Sequence, residues 1–175
     1  MTDGTPDTRP LVVTLQLESA AQARFDRERA QLFPAGRTAV GAHVTLFHAL
    51  PGCLRRDVEE ELDRQAVMPT FTVRITEVFG LGRGVAYRLE AEEAQRLHQR
   101  LQDRWRRHLT RQDAQRFRPH VTVQNKVEPQ VARATLQHLR STFHPEVTRA
   151  VGLKLWRYDA GPWTLLREWQ FDSAA

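Results

Sequence analysis

One tetrapeptide occurs twice in this chain and constrains its fold more than any other feature. Residues 43–46 read His-Val-Thr-Leu, and residues 120–123 read His-Val-Thr-Val. Because successive side chains of a β-strand point to opposite faces, the His and the Thr of each copy share one face, and the aliphatic residues share the other. Two such strands facing one cleft would place two imidazoles and two hydroxyls in a small space.

The segments around the tetrapeptides alternate between the two-residue period of strands and the longer period of helices. Strands are predicted at residues 11–17, 40–50, 70–79, 85–90, 120–127, 146–158 and 163–171, and helices at 19–33, 55–67, 92–108 and from Pro129 onwards. Ser19, followed three residues later by Gln22, predicts a capping box at the start of the first helix.

The order of these elements indicates an internal duplication. Each half of the chain contains a tetrapeptide strand, then a helix, then a hairpin. We therefore predict an α+β fold of two lobes, with mainly antiparallel sheets flanked by helices. On this interpretation His43 and His120 lie on neighbouring central strands, one from each lobe, and point into one cleft.

The length of 175 residues predicts a single domain. We expect residues 1–10 to be a disordered leader without the apolar core of a signal peptide, residues 11–171 to form the bilobal domain, and residues 172–175 to form a tail. No apolar run approaches the roughly 20 residues that a membrane-spanning helix needs. Cys53 is the only cysteine, which excludes an intrachain disulfide and is typical of a cytoplasmic protein.

Basic residues give the chain a net charge of +5, and all 26 of them except Lys126 and Lys154 are arginine. Many of the arginines lie between Arg96 and Arg118, on and after the third predicted helix. Guanidinium groups match phosphate well, so one interpretation is a track for nucleic acid. The other interpretation is a solvated helix face, and we favour it.

Two imidazoles in one cleft suit general acid–base catalysis, because an unperturbed histidine titrates near pH ~6.5. One ring would accept a proton from a water that attacks the phosphorus of a cyclic phosphodiester, and the other would donate a proton to the departing ribose oxygen. Threonine hydroxyls would donate hydrogen bonds to the non-bridging oxygens. Zinc is an alternative ligand for the histidines, but a catalytic zinc usually has three protein ligands, and no HExxH or Cys/His cluster supplies them.

The residues around both tetrapeptides resemble a known family. They are residues 43–46 followed by Leu-Pro-Gly at 50–52, and Phe-Arg-Pro-His-Val-Thr-Val at 117–123. The chain is similar to the 2H phosphoesterases, and within them to the bacterial RNA 2'-5' ligase and 2',3'-cyclic phosphodiesterase branch. The likeness covers about residues 11–171.

This resemblance implies a pseudo-twofold bilobal fold in which both motifs line a central cleft. It implies His43 and His120 as the catalytic pair, with His120 as the base and His43 as the acid. Thr45 and Thr122 would bind the phosphate. The substrate stays open, since related proteins act on RNA ends, tRNA-splicing products, nucleotide cyclic phosphates or 2'-5' linkages.

Several further residues are candidates for the cleft. Arg118 neighbours the second motif and would bind phosphate, and Phe47 and Gln124 would follow the motif side chains on their faces. His48 replaces a phenylalanine common in the family, and strict alternation places it on the face opposite His43, as a core or edge residue. Residues of this kind more often pack than stack, but we expect one of four aromatic residues to stack a nucleobase: Phe117, Tyr87, Tyr158 or Trp156.

The function expected from these features is metal-independent hydrolysis of 2',3'-cyclic phosphates, on RNA ends or on nucleotides, by a cytoplasmic monomer without a cofactor. Two alternatives stay open. One is a module that binds RNA ends with little turnover. The other is an RNA 2'-5' ligase, which would run related chemistry in reverse and needs an RNA 5'-hydroxyl partner.

Overall fold

The computed structural model describes residues 7–37 and 40–173. The strands are β1 (Leu11–Leu17), β2 (Val44–Leu50), β3 (Phe71–Gly80), β4 (Val85–Glu90), β5 (His120–Gln124), β6 (Glu146–Tyr158) and β7 (Trp163–Gln170). The helices are α1 (Ser19–Leu32), α2 (Arg55–Gln65), α3 (Glu92–Trp105) and α4 (Pro129–Thr142). This is the element order that the periodicity predicted. None of the helices in the described part of the chain has the length and apolar character needed to cross a membrane.

All seven strands belong to one antiparallel sheet. Hydrogen-bonded neighbours follow the order β2-β1-β6-β3-β4-β5, and β7 also pairs with β6. If β1 is exchanged with β4, β2 with β5 and β3 with β6, the result is the same strand order read from the other end of the sheet. The predicted duplication is therefore present in the strand pairing, with β7 outside it, and the α+β fold with an antiparallel sheet flanked by helices is confirmed.

The two motif strands lie at opposite ends of the sheet, so the prediction that they are neighbouring central strands is wrong. Each has one hydrogen-bonded neighbour, β1 for β2 and β4 for β5. The sheet curls and brings β2 and β5 back into contact. Twist accumulates across an antiparallel sheet, and this is how strands distant in the pairing order meet.

Apolar side chains on the inner faces of the helices and the sheet form the core. Helix α3 contributes an apolar stripe to this core, because Ala94, Leu97, Leu101 and Trp105 are at most 1% exposed. Burying one such leucine stabilises the fold by about 1.5–3 kcal/mol. The core therefore fixes the sheet from which both motifs project.

The structure describes residues 7–10 of the predicted leader. Arg9 there forms an ion pair with Asp159 at 2.8 Å. The chain passes so close to Gly52 that a Cβ atom at this glycine would lie 2.3 Å from the carbonyl oxygen of Arg9. The rest of the leader and the last two residues of the predicted tail lie outside the described residues, so the division of the chain into leader, domain and tail stays a prediction.

Candidate active site

The two copies of the tetrapeptide occupy matching positions. His43 immediately precedes β2, and His120 is the first residue of β5. Thr45 lies on β2 and pairs with β1, and Thr122 lies on β5 and pairs with β4. The first motif strand therefore begins at residue 44 and not at residue 40 as predicted.

Each motif strand contains a β-bulge directly after its threonine. Leu46 is the extra residue of β2 and Val123 is the extra residue of β5, because in both places the partner strand advances by one residue while the motif strand advances by two. A bulge inserts one residue and so shifts the inward–outward alternation beyond it. The two halves share this irregularity as well as the tetrapeptide.

The bulges explain why the prediction that Phe47 and Gln124 line the cleft is wrong. These side chains are 0% and 2% exposed. Phe47 stacks on His98, with 4.7 Å between the ring centroids, and the Gln124 amide donates a hydrogen bond to Thr135 Oγ1 at 2.9 Å. Both residues belong to the packed interior.

The bulge in β2 has the opposite effect on His48, which strict alternation placed on the face opposite His43. His48 is exposed and lines a cavity of about 220 Å³ together with Thr45 and His120. Its Nδ1 atom lies 2.8 Å from Oδ1 of Asp113. His48 is therefore part of the wall of the cleft.

Asp113 anchors the loop between α3 and β5 to the strand of the first motif. Its side chain is 0% exposed, and it accepts hydrogen bonds from the backbone N–H groups of His48 at 2.8 Å and Ala49 at 3.0 Å. Burial raises the pKa of this carboxyl. The hydrogen bonds from His48 and Ala49 lower the pKa by more than burial raises it, so the pKa lies below its ordinary value. The 64 residues between Ala49 and Asp113 explain why no local pattern marks this contact.

The same kind of hydrogen bond holds both motif histidines. Nδ1 of His43 lies 2.8 Å from the carbonyl oxygen of Gly41, and Nδ1 of His120 lies 2.9 Å from the carbonyl oxygen of Arg118. A carbonyl oxygen can only accept, so Nδ1 carries the proton in each ring, and Nε2 of the neutral ring is an acceptor. Among the described residues, no group of three or more His, Cys, Asp or Glu side chains is arranged to hold a metal ion.

Side chains of both motifs meet where β2 and β5 approach each other. The cavity of about 220 Å³ is lined by Thr45 of the first copy and His120 of the second, together with the exposed Arg118. His43 lines a second cavity of about 230 Å³. It is close enough to His120 for the charge of that ring to lower its pKa. Thr122 is half-buried and lines neither of these two cavities.

Burial lowers the pKa of His43 from 6.5 to about 4. The positive charges of Arg29, His120 and His48 lower it in the same direction, whereas the hydrogen bond to Gly41 raises it. At pH 7 the ring is therefore neutral in the unliganded protein. A neutral ring has a free acceptor for a proton, so this pKa favours His43 as the base, whereas the resemblance implied His120.

Arg29 of α1 is a site residue that the sequence analysis did not single out. It is 8% exposed, and its guanidinium donates hydrogen bonds to the carbonyl oxygens of Val40 at 3.0 Å and Thr122 at 2.6 Å. It thereby ties the segment before the first motif to the strand of the second. The signal in the sequence is a charged residue on an apolar stripe, four positions after the buried Phe25.

Helix α1 also holds the backbone directly before His43. Oδ1 of Asp26 accepts a hydrogen bond from the N–H of Ala42 at 2.7 Å, and the Gln22 amide donates to the carbonyl oxygen of Ala42 at 2.8 Å. The predicted capping box is wrong, because α1 has Glu18 at its N-cap and Gln22 binds residue 42 instead.

Two aromatic rings contact the motif histidines and were not assigned from the sequence. The ring centroid of Trp163 lies 4.7 Å from that of His43, and the centroid of Phe79 lies 6.2 Å from that of His120. Trp163 belongs to β7 and Phe79 to β3, so both contacts depend on strand pairing that no local pattern reveals.

Only two of the four aromatic residues predicted to stack a base lie beside the motifs. Trp156 lines the cavity of His43, and its Nε1 donates a hydrogen bond to Thr14 Oγ1 at 2.9 Å. Phe117 lines the cavity of His120 but is 9% exposed. One face of the Phe117 ring is covered by His98, with 4.4 Å between centroids.

Tyr87 and Tyr158 lie elsewhere. Tyr87 is 3% exposed, packs against Phe25 at 5.2 Å between centroids, and donates a hydrogen bond to Glu28 at 2.8 Å, so it is a core residue that is not available for stacking. Its pKa is raised, because burial and the Glu28 carboxylate both oppose ionisation. Tyr158 is exposed at the end of β6 and lines neither of the two cavities.

Comparisons with known proteins agree with this architecture. LigT from E. coli in complex with 3'-AMP is 20% identical, with a TM-score of 0.61 and coverage of 94% of this chain and 99% of that chain. TT0787 of Thermus thermophilus is 18% identical, with a TM-score of 0.66 and coverage of 95% of this chain and 100% of that chain. At these identities the likeness shows the fold alone.

Sequence comparison is the more specific evidence. Comparison with curated protein sequences gives no match. The profile of the 2'-5' RNA ligase superfamily, in contrast, matches residues 17–162, a span that includes both copies of the tetrapeptide. The chain therefore belongs to the 2'-5' RNA ligase superfamily of 2H phosphoesterases.

Proposed function

We propose that this protein hydrolyses 2',3'-cyclic phosphates, on RNA ends or on nucleotides, with its two motif histidines as base and acid and without a metal ion. One observation carries the proposal. His43 and His120 lie close enough for the charge of His120 to lower the pKa of His43, and each has Nδ1 held by a backbone carbonyl two residues earlier. Each ring therefore presents Nε2, the atom that proton transfer to or from a substrate requires.

In the proposed reaction His43 accepts a proton from a water molecule as the water oxygen attacks phosphorus. The bond between phosphorus and one ribose oxygen breaks, and His120 donates a proton to that oxygen. The product is a ribose phosphomonoester. Thr45 and Arg118 line the cavity of His120 and would stabilise the charge on the non-bridging oxygens. Thr122, which lines neither cavity, is expected to contribute less.

A nucleotide partner is supported by two observations. LigT from E. coli has been crystallised with 3'-AMP and with NADP+. In this chain the ring centroid of Trp163 lies 4.7 Å from that of His43, and Trp156 lines the same cavity as His43, so these two rings are the candidates for stacking a nucleobase. We propose that the protein acts as a monomer, and that it acts in the cytoplasm, where a free cysteine such as Cys53 stays reduced.

The direct test is hydrolysis of a 2',3'-cyclic mononucleotide and of an RNA oligonucleotide ending in a 2',3'-cyclic phosphate, each with and without EDTA. We expect turnover of at least one substrate, unaffected by the chelator. Loss of activity in EDTA, or full activity of both His43→Ala and His120→Ala, would contradict the mechanism. Arg27→Ala, an exposed change on α1, is the matched control.

The same assay separates the two alternatives. An RNA-end-binding module would bind the oligonucleotide tightly without forming a phosphomonoester. An RNA 2'-5' ligase would join the cyclic end to an added RNA with a 5'-hydroxyl, and the joined product is visible on a denaturing gel. Analysis of the products therefore distinguishes hydrolysis, binding without turnover and ligation in a single assay.

A further inference from the structure

The arginines between residues 96 and 118 fall into two groups with different partners. Arg96, Arg104 and Arg106, on α3 and directly after it, each form an ion pair with a carboxylate, and Arg100 donates a hydrogen bond to Gln65 Oε1 at 2.8 Å. Three others follow in the loop before β5: Arg111, Arg116 and Arg118. They are exposed, and in the part of the chain that the structure describes their side chains form no hydrogen bond or ion pair. Among the described residues Arg107, directly after α3, is also exposed and unpaired, so the contrast is between the bonded arginines of α3 itself and the unpaired arginines that follow it.

The loop that carries the second group is fixed to the protein from two sides. Asp113 binds β2 through its buried carboxylate. The Gln102 amide on α3 donates hydrogen bonds to the carbonyl oxygens of Asp113 at 3.0 Å and Gln115 at 3.1 Å. The unpaired guanidinium groups therefore project from a backbone with a defined position.

This loop also forms a wall of the proposed active site. Arg116 and Arg118 line the same cavity as Thr45 and His120. Exposed cations without acidic partners do not stabilise the fold, and here they lie where a phosphate is expected to react. A chain attached to that phosphate must leave the cleft across one of its walls, and this wall carries the complementary charge.

We propose that the loop of residues 109–118 binds the polynucleotide strand leading to the reacting terminal phosphate, so that the substrate is an RNA chain and not a free nucleotide. This inference rests on the proposed function. Guanidinium groups bind successive phosphates as hydrogen-bonding forks, and they do so without reading the base sequence. The loop would thus favour substrates with several phosphates in a chain, while the two motifs act on the terminal phosphate of that chain.

Binding measurements test the surface without turnover. The probe is a fluorescent oligoribonucleotide with a 3'-phosphate, titrated at several salt concentrations. Arg111→Gln with Arg116→Gln removes two charges from the loop, and Arg27→Gln with Arg133→Gln removes two charges from unpaired, exposed positions on α1 and α4. Each single-strand phosphate contact contributes about 0.7 to the slope of log K against log salt. We expect the loop variant to lose about 1.4 of this slope and the control to lose none.

Kinetics provide the second readout. The loop variant should lose at least fivefold more in kcat/KM on the oligonucleotide with a 2',3'-cyclic end than on the cyclic mononucleotide, because only the longer substrate extends along the loop. The inference is overturned if the two double variants behave alike, or if oligonucleotide and mononucleotide show the same salt dependence in the wild type. Absence of hydrolysis of both substrates would refute the proposed function instead, and the binding titration would still decide whether the loop holds RNA.

Discussion

At the residue scale, His43 and His120 share one hydrogen-bonding pattern but have different surroundings. The buried guanidinium of Arg29 and the charge of His120 both lower the pKa of His43. The edge of Phe79 packs against His120. Two chemically identical side chains therefore lie in different environments, and the proposed division into base and acid rests on that difference.

The first prediction concerns this division of roles. His43→Ala and His120→Ala should each lower kcat/KM by about 10²–10⁴, the contribution of a general base or acid. An aryl phosphodiester with a nitrophenolate leaving group needs little help from an acid. It should therefore restore most of the activity of His120→Ala and leave His43→Ala inactive. Rescue of His43→Ala instead would restore the assignment that the family resemblance implied.

The second prediction concerns stability against pH. The folded pKa of His43 is about 4, below the ordinary value of 6.5, so the unfolded chain binds the proton more readily. The contribution of His43 is fully present above pH ~6.5 and is lost as the pH falls towards ~4, by about 2–3 kcal/mol in the free energy of unfolding. Urea unfolding at pH 7 and pH 4.5 measures this loss. His43→Gln should show a smaller loss over this interval, and an identical loss in both proteins would contradict the lowered pKa.

At the scale of secondary structure elements, sequence periodicity locates the helices and strands but fails at two bulges. A bulge leaves no signal in the sequence. Strict alternation therefore places each of Phe47, Gln124 and His48 on one face of its strand, whereas in the fold it lies on the other. His43 and His120 precede the bulges, and the structure brings them near each other as the repeated motif led us to expect. Residues that reach the cleft from other elements, such as Trp163 and Arg29, could not be predicted because their partners lie far away in the sequence.

The third prediction concerns the contact between β4 and β5 at the bulge. A Cβ atom at Gly84 would lie 2.0 Å from the carbonyl oxygen of Gln124. Backbone cannot yield easily, so Gly84→Ala should cost about 1–3 kcal/mol in the free energy of unfolding and displace the second motif. Gly80→Ala, in the same hairpin, meets only the flexible end of Leu136 at 3.2 Å and is the matched control. Equal effects of the two changes would contradict the role of this close approach.

The fourth prediction concerns the anchor of the loop before β5. Asp113→Asn presents an amide N–H₂ to N–H donors that now bind a buried carboxylate. It should lower the free energy of unfolding at pH 7 by about 2–4 kcal/mol. Asp103→Asn removes the partner of Arg106 in an exposed pair and should have little effect. Denaturant titration distinguishes the two variants, and a stable Asp113→Asn protein would show that the loop has another anchor.

At the scale of the whole molecule, curling of one continuous sheet creates the site, because it joins strands from opposite ends of the pairing order. The repeated element order correctly indicated the duplication. The same element order led us to place the motif strands at the centre of the sheet, because no local sequence pattern indicates how far a sheet curls. Arg29 is the contact that closes the curl, since it binds the carbonyl oxygen of Thr122 from the helix that also supports residue 42.

The fifth prediction concerns this closing contact. Arg29→Met keeps much of the side-chain volume but removes the guanidinium that donates to the carbonyl oxygens of Val40 and Thr122. It should lower the free energy of unfolding by about 2–4 kcal/mol and raise the pKa of His43, because a nearby positive charge is lost. The acid limb of the pH–activity profile should move to higher pH in Arg29→Met. Arg27→Met should change neither the free energy of unfolding nor the acid limb. An unshifted acid limb in a folded Arg29→Met protein would show that Arg29 does not influence the pKa of His43.

The symmetry of the strand order has a consequence for the direction of the reaction. A cleft bounded by two copies of one tetrapeptide looks nearly the same when attacking and leaving groups are exchanged, so the motifs alone do not dictate which end of a bound diester departs. On the proposed function, the choice falls to the residues that differ between the two histidines: Arg29 and Trp163 beside His43, and Phe79 and the arginine loop beside His120. We therefore expect the residues around the two motifs to set the orientation in which a diester binds. Exchanging those residues, with both motifs left intact, should reverse that orientation.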